Sequence, residues 1–87
     1  MPDVNETLNE RGSRYGGYPA MAAKIKNLQD AASGPGYVKL QPFQQHAVDM
    51  ILVKLGRILT GDPYYVDNWH DIEGYARLVA EALGESP

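Results

Sequence analysis

The chain has 87 residues, a net charge of -3 and a pI near 5.2, which fits one domain spanning 1–87 with a core so small that self-association is the expected remedy. The absence of cysteine excludes disulfides and thiolate metal sites and fits a reducing compartment, while the acidic balance excludes the broad positive field that grips duplex DNA. No stretch reaches the roughly 20 apolar residues of a membrane span, and acidic Asp3 and Glu6 stand where a signal peptide would be basic, so a soluble, cytoplasmic chain making no membrane contact is expected.

Asp3 followed three residues later by Glu6 has the spacing of a capping box, and Val4 and Leu8 would share a face, which predicts a first helix from about Val4 to Arg11, stopped by Gly12. The segment from Arg11 to Tyr18 holds three glycines, two arginines and two tyrosines, too irregular for helix or strand, and reads as a loop. Pro19 suits a first helical turn, and Met21, Ala22, Ile25, Leu28 and Ala32 recur in steps of three and four, predicting a second helix over Pro19 to Ala32. Ser33-Gly34-Pro35-Gly36 breaks it. Gly36 to Leu40 comes nearest to a strand but is too short to found a sheet.

Pro42 opens the longest predicted helix, which runs to about Thr60 and is ended by Gly61 and Asp62-Pro63. A last helix starts near Asp67 or Asn68, either a suitable N-cap, and carries Trp69, Ile72, Ala76, Val79 and Leu83 at helical spacing before Gly84. The expected fold is all-α: a compact bundle of about four helices joined by Gly/Pro-rich loops and assembled as a homo-oligomer.

On the long helix Ala47, Val48, Ile51, Leu52, Leu55, Ile58 and Leu59 span a broad apolar arc, with Lys54 at one border and Arg57 and His46 beside it. Cations at the edge of an apolar face can meet an anion with little competition from water. They can equally snorkel into solvent. On the last helix Asp67, Asp71 and Tyr75 follow one another at single turns. Two carboxylates so spaced can hold a hard divalent cation with water, or orient Lys54 and Arg57 toward a phosphate. Alternatively Asp67 is a cap and Asp71 a favourable first-turn charge.

Gly56 and Gly74 lie inside helices, each at a cost of about 1 kcal/mol relative to Ala, and call for the close approach of a helix or a ligand. Trp69 is either a core anchor or a stacking surface, and the aromatic Gly61-to-Val66 loop can cover a base or a neighbouring subunit. Arg11, Arg14 and Tyr15 could clamp phosphate from the glycine-rich loop, although their spacing matches neither the P-loop nor the dinucleotide fingerprint.

Three segments taken together, Glu6 to Gly16, Lys54 to Gly61 and Asp67 to Ala76, resemble a family of short bacteriophage and prophage proteins of uncharacterised function. A Lys/Arg helix followed by an aspartate helix ending in Gly74-Tyr75-Ala76 is also similar, more distantly, to the all-α nucleoside triphosphate pyrophosphatases of the MazG type. Those relatives bind magnesium through a Glu-Glu-x-x-Glu run on one helix and a Glu-x-x-Asp pair on the next. Here Lys54 and Arg57 stand in place of the first acidic run, and only Asp71, with Asp67 a turn earlier, can replace the second. Exchanging carboxylates for cations weakens a metal site and improves capture of phosphate.

These readings converge on an oligomeric protein that binds a nucleotide-like small molecule, such as a nucleotide-derived signal of the kind hosts use against phage. Arg11, Arg14, Tyr15, Lys54, Arg57, Trp69, Asp71 and Tyr75 are the expected ligand-binding set, with no catalytic residue and no required cofactor. One alternative is a magnesium-dependent pyrophosphohydrolase, with metal on Asp67 and Asp71. The other is a protein-interaction module using Trp69, Tyr64 and Tyr65. The resemblance places the chain in the cytoplasm of an infected or lysogenic bacterium.

Overall fold

Three prolines mark where helices begin. Each sits in a first turn, where its missing N–H breaks no helical hydrogen bond. The computed structural model describes residues 17–84, and among them the chain forms four helices and no strand: α1 (Tyr18–Ala32), α2 (Pro35–Val38), α3 (Pro42–Thr60) and α4 (Val66–Ala82). Pro19, Pro35 and Pro42 lie in the first turns of α1, α2 and α3. The helix expected over Val4 to Arg11 lies outside the described residues, as does the loop expected from Arg11 to Tyr18 as far as Gly16; its last residue, Tyr18, instead begins α1, with Gly17 as the extended N-cap.

The main departure from expectation is α2. Ser33-Gly34-Pro35-Gly36 does end α1, but a single helical turn follows at once. Gly34, at φ 129°, holds the left-handed conformation that only glycine adopts without strain. Ser33 closes α1 by donating its hydroxyl to the Asp30 carbonyl at 2.6 Å and its backbone N–H to the Gln29 carbonyl. Beyond α2 the chain enters α3 through Gln41, whose N–H is received by the Gln44 side chain at 2.9 Å.

α3 lies between α1 and α4, packed against both, while the two outer helices scarcely touch. A cross-section at Gly56 shows why. Gly56 faces α1 so closely that a Cβ there would collide with the Ile25 side chain and stand 3.4 Å from the Ile25 Cα. Ala47 and Ile58 lie roughly 180° around the helix from Gly56 and are buried on the α4 side, at 4% and 7% exposure. The apolar arc is therefore divided between two neighbours. In α1, Met21, Ala22, Ile25, Leu28, Gln29 and Ala32 line the inner face, half-buried.

The turn between α3 and α4 is built by Asp62-Pro63-Tyr64-Tyr65. Asp62 receives the Tyr64 N–H on its carboxylate at 2.9 Å and the Tyr65 N–H on its carbonyl at 3.2 Å, an aspartate-headed turn with proline at its favoured second position. The Trp69 indole N–H then donates to the Pro63 carbonyl at 2.8 Å, tying the turn to α4. This helix begins at Val66, with Tyr65 as N-cap and no side-chain cap. Neither Asp67 nor Asn68 caps it: Asp67 lies in the first turn, and Asn68 turns inward to 1% exposure.

The core that results is thin. Among the described residues Ala47 and Ile58 are the only buried hydrophobic side chains, while Tyr18, Val38, Leu59, Val66, Leu78 and Leu83 are all more than half exposed. No helix among the described residues is long and apolar enough to cross a membrane.

Candidate functional site

α3 and α4 run antiparallel, so residues near the start of one meet residues near the end of the other. His46 meets Tyr75 edge to face, with ring centroids 6.0 Å apart. Two turns further along α3, Lys54 reaches across to Asp71, with its ammonium 2.9 Å from Asp71 Oδ2. Arg57 follows one turn later on α3, half-buried and with a partner of its own. The border between these helices thus carries His46, Lys54 and Arg57 on one side and Tyr75 and Asp71 on the other.

The ion pair is asymmetric. The Lys54 side chain is 13% exposed and the Asp71 side chain 47%. The long methylene stem of Lys54 is covered by its neighbours, which holds the ammonium near one spot, whereas Asp71 projects from the rim and can turn into water. A fixed cation beside a displaceable counter-ion is suited to anion exchange. An anion that displaced Asp71 from the ammonium would leave a carboxylate that is rehydrated at little cost, because it is already half solvated.

The remaining candidates are placed differently. Asp67 sits one turn before Asp71 on α4, and its carboxylate accepts the Tyr65 hydroxyl at 2.9 Å. Both carboxylates proposed for metal thus have protein partners here, Asp71 on Lys54 and Asp67 on Tyr65, and among the described residues no group of three or more His, Cys, Asp or Glu side chains is gathered. Trp69 lies about 160° around α4 from Asp71 and turns to the Pro63 carbonyl, so the structure does not bring it together with Lys54. Arg11, Arg14 and Tyr15 lie outside the described residues.

A second polar cluster, on the α1 side of α3, escaped the sequence reading. The Tyr37 hydroxyl donates to both oxygens of Asp49, at 2.9 and 3.0 Å, and the Gln45 amide donates to the Tyr37 carbonyl at 3.2 Å. Together these bonds fasten α2 to α3. The hydrogen bond to Asp49, aided by burial and by the negative charge of that carboxylate, raises the Tyr37 pKa above its ordinary value. Tyr37 and Asp49 also line a hollow of about 300 Å³ with Gln29, Ala32, Ser33 and Leu52. The only sequence signal was Asp49 itself, an acid on an otherwise apolar and amide-bearing stretch of α3.

No protein-family model, curated protein or solved structure matches this chain.

Proposed function

We propose that this protein is a phage-type, self-associating helical module that captures a phosphate-bearing nucleotide or nucleotide-derived signal, linear or cyclic, at the α3–α4 border, and so withholds a messenger of host defence. The observation that carries the reading is the Lys54–Asp71 pair, in which a largely covered ammonium is neutralised by a half-exposed carboxylate at 2.9 Å. Self-association is supported by the thin core and by the large apolar side chains left at the surface.

Calorimetry with a panel of linear and cyclic nucleotides tests capture directly. Lys54→Ala should abolish measurable binding. Asp71→Asn separates capture from the pyrophosphohydrolase alternative, because under capture Asp71 competes with the ligand. An ion pair whose carboxylate is half in water is worth on the order of 1 kcal/mol, so removing the competitor should tighten binding by roughly 5-fold. If Asp71 instead held magnesium, the same substitution would weaken binding and abolish pyrophosphate release. Wild-type protein that binds no member of the panel would remove the proposal.

The interaction-module reading has its own support in Tyr64, 91% exposed, and in Val66 and Trp69 beside it, each about half exposed. Rigid aromatic and branched side chains grouped at a turn are the anchors that protein interfaces favour. Substituting Tyr64 by Ala should then disrupt assembly or partner binding and leave nucleotide affinity unchanged.

A further inference from the structure

The hollow under α2 has the electrostatics of a cation site, opposite in sign to what the α3–α4 border is proposed to take. Asp49 is its centre. Both carboxylate oxygens accept one shared hydroxyl from Tyr37, which leaves further lone pairs on each, and no Lys, Arg or His among the described residues pairs with Asp49. A second source of negative potential converges there. The C-terminal end of α1, a helix of 15 residues, forms one wall through Gln29, Ala32 and Ser33, and no basic residue in its last turn offsets the helix dipole.

The lining also selects among cations. A hard divalent ion takes about six or more oxygen ligands in a defined geometry, and the hollow supplies one carboxylate toward that shell. A primary ammonium asks for less. Its three donors can be met by Asp49, the Gln29 side-chain carbonyl and the Ser33 hydroxyl oxygen, and the Tyr37 ring offers a face of the kind that attracts such charges. Ala32 and Leu52 supply apolar surface for a short alkyl chain. At about 300 Å³ the space lies at the small end of ligand pockets.

We infer that the hollow formed by α1, α2 and α3 binds a small alkylammonium compound, with its charge on Asp49 and its chain against Ala32 and Leu52. The site shares no residue with the Lys54–Asp71 pair, so either proposal stands or falls without the other.

The test is a titration of isotope-labelled protein with n-butylammonium chloride, followed by amide chemical shifts, with sodium chloride matching ionic strength and n-butanol as the uncharged isostere. Butylammonium should give saturable shifts centred on Ser33, Tyr37 and Asp49, and n-butanol none at the same concentrations. Asp49→Asn, which keeps an acceptor for Tyr37, should weaken binding at least about tenfold, the loss expected for a charge-assisted hydrogen bond. The absence of saturable shifts, an equal response to n-butanol, or unchanged affinity in a folded Asp49→Asn variant would each overturn the inference. Should that variant fail to fold by circular dichroism, the comparison of ammonium with alcohol on the wild-type protein decides alone.

Discussion

Replacing Gly56 by Ala should destabilise the protein even though alanine is the better helix former. In an exposed helical position the exchange gains about 1 kcal/mol. At Gly56 the new Cβ would run into Ile25 Cγ1 and come within 3.4 Å of the Ile25 Cα. Cγ1 is bonded directly to a branched Cβ whose rotamer is nearly fixed in a helix, so the side chain cannot swing clear and the backbones of α1 and α3 must separate. Overpacking of that kind costs about 1–3 kcal/mol. The involvement of an inner side-chain atom and of backbone puts this site in the upper half of that range, for a net loss of about 1–2 kcal/mol. In a domain of this size that lowers the melting temperature by roughly 5–15 °C.

Gly74 provides the internal control. It is also mid-helix, yet a Cβ there meets nothing within 4 Å, so Gly74→Ala should stabilise by up to about 1 kcal/mol and raise the melting temperature by roughly 4–8 °C. Thermal melts followed by circular dichroism, with all three proteins at one concentration, give both shifts. A Gly56→Ala protein that melts at or above wild type would refute the described approach of α1 to α3.

Further outcomes can be checked on the same material. The raised Tyr37 pKa means that the bond to Asp49 stabilises the fold fully below the ordinary tyrosine value and is lost as pH climbs through the higher folded-state value; in an ultraviolet titration of tyrosinate, Tyr37→Phe should lose late-ionising absorbance relative to the wild type. Trp69→Phe keeps an aromatic ring but loses the bond to the Pro63 carbonyl, which should cost about 1 kcal/mol in denaturant melts. If copies of the chain complete the thin core, the melting temperature will rise with protein concentration, and a value independent of concentration would count against self-association. Asp71→Asn should tighten nucleotide binding in calorimetry, and weakening would favour metal-dependent turnover instead.

Much of the helical layout was readable because it is written locally. Pro19 and Pro42 marked two helix starts, Gly61 and Asp62-Pro63 marked one end, and the three-and-four spacing of Met21 through Ala32 identified the face of α1 that turns inward. The juxtaposition of Lys54 and Asp71 also followed from pattern, since each stands at the border of an amphipathic helix and the short turn between them requires the helices to run antiparallel. Tertiary placement was less legible. Nothing in the spacing of Pro35 to Val38 announces a helical turn, whose position depends on Tyr37 reaching an aspartate twelve residues away. Asn68 looks like a cap because its residue type favours caps, but Tyr65 and Val66 begin the helix earlier and carry Asn68 inward. Trp69 stands two residues from Asp71 in sequence, yet two residues along a helix point to opposite sides, which separates it from the Lys54–Asp71 pair.

The arrangement in which α1 and α4 each lean on α3 but scarcely on each other has a consequence for how the molecule opens. Either outer helix can detach while the remaining pair keeps its own interface, so opening need not be concerted. Amide exchange should then rank the central helix as the slowest segment, with the flanks exchanging at separate rates that respond independently to a change on one side. Occupation of one flank would stiffen that flank and leave the other free to breathe.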